Sequence, residues 1–324
     1  MRFNRNDPLS PLLPSKTAIW DAHTHIWDAE AFTDLEKWGK FYGVKRFLGI
    51  AQPDVKKSLE DRGKNSEIVF AYYLSPQAFA EQEPDKLLDY IDEAHTLEYS
   101  MVKMWFAPRF LDFFNATKPF SISDPIFEPV FHRIEEYDLP FGCHVADPDV
   151  VYEIKYTEAK YRTKTQALNE FLTVLRRHPR LRGVSIHFGS LPEIQHHNFL
   201  SSILDDFPSL YIDTASSKWI IRELGQNIER TRSFITRYQR RILFATDLMC
   251  GYPFSPDRRP DDYYASRYWA QRLFWETDVR DVELPFPDDD NPHPPSLING
   301  LKLKAGVLDR LYWKNAVEFF NGAT

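Results

Sequence analysis

A closed parallel barrel of eight β/α units, an α/β fold of the TIM-barrel type, is the architecture this 324-residue sequence predicts. Short apolar runs rich in β-formers alternate with helical stripes as far as Asp247. The runs are nearly continuous in their apolar character, as in Glu67-Ile68-Val69-Phe70-Ala71-Tyr72-Tyr73-Leu74, which marks strands covered on both faces. Several of them end in His or Asp, the residue types a barrel gathers at its C-terminal mouth. The main rival, a doubly wound open sheet, lacks support because neither Gly-x-Gly-x-x-Gly nor Gly-x-x-x-x-Gly-Lys occurs.

Taken in order, a proline-rich leader gives way to Thr17-Ala18-Ile19-Trp20, a first strand that ends in Asp21-Ala22-His23-Thr24-His25-Ile26-Trp27-Asp28. A helix over 34–42 leads to strand two, Val44 to Ile50, and a Gln52-Pro53-Asp54 breaker opens a short helix to about Arg62. Strand three is the 67–74 run, and Leu87, Leu88, Ile91, Ala94 and Leu97 form the stripe of a helix over 85–99. Strand four is Met101 to Phe106, with Asp124-Pro125-Ile126 starting the helix that follows it. Leu139 to Val145 is strand five, Leu181 to His187 strand six, Leu210 to Thr214 strand seven and Ile242 to Asp247 strand eight. Helices over 165–177, 191–206 and between 219 and 239 separate them.

From Leu248 to Gly300 the alternation breaks into proline, aspartate and aromatic clusters, with a helix expected over 263–277. So long an excursion after strand eight lies at the mouth, as a lid or as a surface or dimer contact. Its aromatics, Tyr252, Phe254, Tyr263, Tyr264, Tyr268 and Trp269, suit either a flat ligand or packing. An amphipathic helix from Leu311 to Phe320 closes the chain, and the whole reads as one domain over residues 1–324.

With 43% hydrophobic and 15% aromatic residues the core is ample, which excludes extended disorder. Forty Lys and Arg against 47 Asp and Glu give a net charge of -7. The basic residues are scattered apart from pairs such as Arg176-Arg177 and Arg258-Arg259, so nucleic acid is not the expected partner. No signal-peptide core and no membrane-crossing run is present, and a cytoplasmic protein acting on a small molecule, as a possible homo-oligomer, is expected. Cys143 and Cys250 belong to no Cys-x-x-Cys pair and should stay reduced.

His23 and His25 stand two apart, which on a strand turns both imidazoles to one face, as the first two ligands of a Zn²⁺-like ion require. His144, His187 and Asp247 fall at the ends of strands five, six and eight. Nitrogen from His23, His25 and His144 with oxygen from Asp247 makes a mononuclear set with a position left for water. An ion there would lower the pKa of that water and polarise a carbonyl; Asp247 would take a proton, and His187 would serve as acid or stabilise negative charge. His95, His132, His178, His196, His197 and His293 fall in helices or loops and carry no assigned chemistry.

Asp21-Ala22-His23-Thr24-His25, His144, His187-Phe188-Gly189, Asp247 and the closing Tyr312-Trp313-Lys314-Asn315-Ala316 resemble the amidohydrolase superfamily over about residues 17–320. The nearest branch contains aminocarboxymuconate-semialdehyde decarboxylase, γ-resorcylate decarboxylase and pyrone-dicarboxylate lactonase. The resemblance implies a (β/α)₈ barrel with one divalent metal, zinc in kind, held at the positions of His23, His25, His144 and Asp247, with His187 as the catalytic histidine. It leaves the reaction open among hydrolases, hydratases, decarboxylases and a metal-independent lactonase. Where the decarboxylases often carry a glycine-rich turn after the strand-six histidine, this chain has Phe188-Gly189-Ser190. Lys103 on strand four corresponds to a lysine that is carbamylated in binuclear members; here a substrate-binding or structural role is favoured, with Arg109 a weaker anion-binding candidate. Two activities follow as expectations: a metal-dependent hydrolase of an amide, ester or lactone first, and a decarboxylase of a small aromatic or unsaturated carboxylate as its alternative.

Overall fold

The computed structural model describes residues 2–4, 6–113, 120–251 and 260–321. Nine strands form its main sheet: β1 (Ile19–Ile26), β2 (Val44–Ile50), β3 (Ile68–Leu74), β4 (Met101–Trp105), β5 (Phe141–His144), β6 (Gly183–Ser185), β7 (Leu210–Asp213), β8 (Ile242–Leu243) and β9 (Leu248–Cys250). Their order is β8-β7-β6-β5-β4-β3-β2-β1-β9, with every neighbouring pair parallel. Helices fill the crossovers, as parallel pairing demands, and the result is an α/β fold of the TIM-barrel kind.

The strand expected over 242–247 stops at Leu243, and a further strand, β9, follows where the alternation was expected to break. β8 pairs with β7, β9 pairs with β1, and between them Ala22 N–H donates to Phe244 O at 2.8 Å and Asp247 N–H to His23 O at 3.0 Å. The stretch 242–250 therefore bonds to both edges of the curled sheet. Asp247 lies at the break with φ +61°, a left-handed conformation rare for a residue with a Cβ. Strand six is shorter than expected, because Ile186–Gly189 leaves the strand in a left-handed turn in which His187, Phe188 and Gly189 have φ of 58°, 56° and 66°.

Inside the curl, Trp20, Ala22, Leu48, Ile50, Ala71, Met101, Val184, Ile186 and Leu243 pack together, and Ala316 and Phe319 of the C-terminal helix join them. β1 and β2 thus contribute two side chains each, and β3, β4, β6 and β8 one each, to a filled interior. Simple alternation along β1 would point Trp20 and Ala22 one way and His23 and His25 the other. The register with β2 slips between Asp21 and Thr24, which pair with Phe47 and Gly49, so one extra residue is accommodated there. That bulge reverses the parity of the strand, and apolar Trp20 and Ala22 can fill the interior while both histidines reach the mouth.

The helices carry local signals of their own. Thr163 and Gln166 form a reciprocal capping box at the start of the helix Lys164–Arg177. After β9 the chain forms the helix Pro260–Glu276 and a small antiparallel pair, Val282–Glu283 with Leu297–Ile298. The final helix runs from Ala305 to Asn321 with a π-helical turn over Arg310–Lys314. No helix among the described residues is long and apolar enough to cross a membrane.

Candidate metal centre and the cavity above it

At the end of β1 the Nε2 atoms of His23 and His25 lie 3.3 Å apart, and Asp247 Oδ1 is 3.4 Å from each. Donors about 2.0–2.2 Å from one tetrahedral ion stand roughly 3.3–3.5 Å from one another, so this triangle has the size of a shared coordination sphere. The donor set, two imidazoles and a carboxylate, suits a divalent first-row ion. The remaining nitrogen of His23, Nδ1, meets Asp213 Oδ2 at 2.9 Å, which fixes the ring and leaves Nε2 for the triangle. Asp213 Oδ1 accepts from the backbone N–H of His187 at 2.8 Å, tying the left-handed turn to the same carboxylate.

The electrostatics agree with a ligand role. Burial pushes the His23 imidazole down to about 3 and that of His25 down to about 4, so both are neutral and free to donate a lone pair at neutral pH. Burial alone would raise the Asp247 carboxyl, but the close approach of His25 and the imidazoles of His23 and His187 outweigh it and hold the group well below the usual carboxylate range. Burial pushes Asp213 up to about 7.

His144 is not brought into the triangle. Its Nε2 lies 2.8 Å from Asp147 Oδ1 and its Nδ1 3.2 Å from His187 Nε2, so both ring nitrogens are engaged elsewhere. Tyr156 Oη donates to the other oxygen of Asp147, giving a buried chain Tyr156-Asp147-His144-His187 along one wall. His187 Nδ1 is buried without a hydrogen-bond partner among the described residues, and burial lowers its imidazole to about 3.

Above these groups opens a cavity of about 950 Å³, within the range of small-molecule sites. His25, His144, His187 and Asp247 line it, as do Tyr73, Trp105, Phe113, Trp219 and Tyr263. Lys103 lines it too, with its Nζ 5.3 Å from the Tyr73 ring centroid and no hydrogen bond or ion pair among the described residues. Burial brings its ammonium down to about 8, which leaves it largely charged at pH 7. Arg109 is exposed on the rim, stacked 5.3 Å from the Phe113 ring. Of the aromatics after strand eight, Tyr263 reaches the cavity, whereas Tyr268 and Trp269 are packed inside, bonded to Asp21 Oδ2 at 2.9 Å and to Ser10 O at 2.9 Å. Tyr264 is likewise buried, its Oη 3.3 Å from Met249 O; Tyr252, Phe254, Arg258 and Arg259 lie outside the described residues.

Two carboxylates that sequence reasoning passed over have clear positions. Asp213 ends β7 and could have been found by the strand-end rule that picked out Asp247. Asp147, three residues past His144, carried no such signal. A second cluster, Asp149, Glu193 and His196, also gathers ligand atoms within 4.8 Å, but Lys164 Nζ lies among them, 2.7 Å from Asp149 and 3.1 Å from Glu193.

The sequence model of the amidohydrolase family matches residues 78–322. The chain belongs to that family. Its fold is shared with a 2,6-dihydroxybenzoate decarboxylase from Rhizobium (TM-score 0.55, 14% identity, covering 95% of this chain and 100% of that one). It is shared as well with dihydroorotase from Saccharomyces cerevisiae (0.56, 13%, 94% and 84%). A third likeness is to a 5-carboxyvanillate decarboxylase from Novosphingobium aromaticivorans solved with manganese and a nitrobenzoic acid (0.50, 11%, 94% and 96%). No curated protein matches the sequence. In this amidohydrolase, then, the mouth of the barrel carries a triangle of potential ligand atoms on β1 and the 242–250 stretch, with the His144–His187 pair beside it, the His187 and His23 ring centroids 5.7 Å apart.

Proposed function

We propose that this amidohydrolase-family enzyme is a metal-dependent carbon-carbon lyase that removes CO₂ from a small aromatic carboxylate. The observation that carries the reading is Lys103, a buried ammonium with no ion pair among the described residues, lining an aromatic-walled cavity beside the triangle. A buried cation left unpaired is costly, and a substrate carboxylate would supply the missing charge. Walls from Tyr73, Trp105 and Trp219 suit a flat ring, and the ring carboxylates named for two of the structural relatives are of that type.

His23, His25 and Asp247 would hold the ion, with His144 joining them only if its ring leaves Asp147 or His187. A bound divalent ion would contribute Lewis acidity, orienting the substrate and stabilising negative charge. In the reaction the bond between ring carbon and carboxylate breaks, its electron pair stays on the ring carbon, and that carbon takes a proton. The chain Asp147-His144-His187 along the cavity would relay that proton, taken up from solvent, to the ring carbon. Lys103 and Arg109 would hold the anionic substrate.

The second reading, hydrolysis of an amide, ester or lactone, is favoured by Asp247, a carboxylate touching both imidazoles where a water would lose its proton. The Lys103 ammonium and the aromatic walls, which suit a ring carboxylate, rank this reading second. The metal-loaded protein should be offered 2,6-dihydroxybenzoate, 5-carboxyvanillate and a panel of lactones and amides in ¹⁸O-water. CO₂ release without ¹⁸O in the organic product supports the lyase; ¹⁸O in product without CO₂ overturns it.

A further inference from the structure

The stretch 286–290 runs along the cavity wall, far in sequence from the groups it touches. Asp290, 3% exposed, accepts from Lys155 and Lys218 and from the indole N–H of Trp219 at 2.9 Å. Two residues earlier, Asp288 is bonded to Arg222 at 2.5 Å. One buried carboxylate thereby ties the stretch to two different helical segments at the barrel mouth, Asp149–Ile154 with its cap Lys155 after β5 and Ser217–Leu224 after β7. Such burial is tolerable only because two ammoniums and an N–H surround it. Trp219 in turn sets its ring edge-to-face against His187, with centroids 5.2 Å apart and planes at 80°. Tryptophan has a single donor, and here it is spent on Asp290, so turning the ring over would forfeit that bond.

We propose that Asp290 is a positioning residue of this site, fixing the Trp219 ring against His187 through the indole N–H, so that the 286–290 stretch belongs to the active site. The inference rests on reading His187 as the group that serves the substrate.

Full-length protein carrying 5-fluorotryptophan and histidine labelled with ¹³C at Cε1 tests it by NMR, with Trp219→Phe and His187→Asn assigning the two signals. In Asp290→Ala the Trp219 fluorine line should shift and broaden, and the His187 signal should move in the direction it moves in Trp219→Phe. The His178 signal, from a ring held by Glu128 at 2.9 Å on the outer helices, should stay put. Lys155→Met, which spares the indole bond, should leave the fluorine line in place. An unchanged Trp219 line in Asp290→Ala, or an unmoved His187 signal in Trp219→Phe, overturns the proposal. Should Asp290→Ala fail to fold, Asp290→Asn keeps one acceptor without the charge and should show two Trp219 populations; one unshifted line overturns it there too. Neither signal needs turnover, so a failed CO₂ screen and a failed positioning role give different results.

Discussion

The two sides of the barrel mouth use the same residue types in different ways. On the side of β1 and the 242–250 stretch, His23, His25 and Asp247 aim one atom each at a common point, and the spare nitrogen of His23 is occupied by Asp213. On the side of β5 and β6, His144 and His187 aim at each other, and Asp147 holds the outer nitrogen of the pair. Convergence on a point is what a metal requires; a chain of donors and acceptors is what proton movement requires. Of the three histidines expected as ligands, His23 and His25 converge with Asp247, while the ring nitrogens of His144 meet Asp147 and His187 instead. Orientation, set by the carboxylate behind each ring, separates the holding side from the working side.

The largest effects should come from removing a working group on either side. His187→Asn and Asp247→Asn are each expected to lower turnover by about 10²-fold or more, the first by removing the proton donor and the second by weakening the ion's hold. Steady-state rates, with bound metal per chain measured alongside at one fixed ion concentration, check this. If His187→Asn kept full activity, the working side would have to be reassigned.

Lys103 sharpens the comparison, since in the proposed reaction it would hold the substrate carboxylate from the cavity wall. Lys103→Met should weaken binding of 2,6-dihydroxybenzoate roughly tenfold or more, as expected for a lost charged hydrogen bond. Because its ammonium titrates near 8, wild-type affinity should be full below that pH and fall above it, while the variant shows a weak affinity without that step. Calorimetric titration across pH 6–10 distinguishes these; an identical pH step in both proteins would remove Lys103 from the site.

How much of this was legible beforehand varied with the range of the interaction. The period-two alternation of a strand was enough to place His23 and His25 together, and strand ends led to His144, His187 and Asp247. The parity reversal at Asp21–Thr24 was not legible, because a bulge is set by pairing with another strand. The left-handed turn at His187 was hidden for a similar reason: nothing in Ile186-His187-Phe188 favours positive φ, and the backbone N–H of His187 is held by Asp213, 26 residues away. The orientation of His144 depends on Asp147, and that of Trp219 on Asp290, a pairing across 71 residues that no local pattern encodes.

A smaller effect concerns Asp21, which binds the 242–250 stretch to β1 through the N–H and hydroxyl of Thr246 at 3.1 and 2.6 Å. Burial pushes its carboxyl up to about 7, above the ordinary unfolded value near 3.9. The folded state thus holds this proton more tightly, so the contribution is complete below about pH 4 and is lost as pH rises through about 7. Melting temperature should decline from pH 5 to pH 8, and Asp21→Asn should flatten that decline. An unaltered slope in the variant would assign the pH dependence elsewhere.

The division between the two sides is tested most directly by the bound metal per chain in His25→Asn, His144→Asn and His187→Asn, each purified with excess divalent ion and then dialysed. About one ion per chain is expected in the unaltered protein. It should be largely lost in His25→Asn, reduced at most in part in His144→Asn and retained in His187→Asn. Loss in His144→Asn as complete as in His25→Asn, or loss in His187→Asn, would contradict the assignment of holding and working sides.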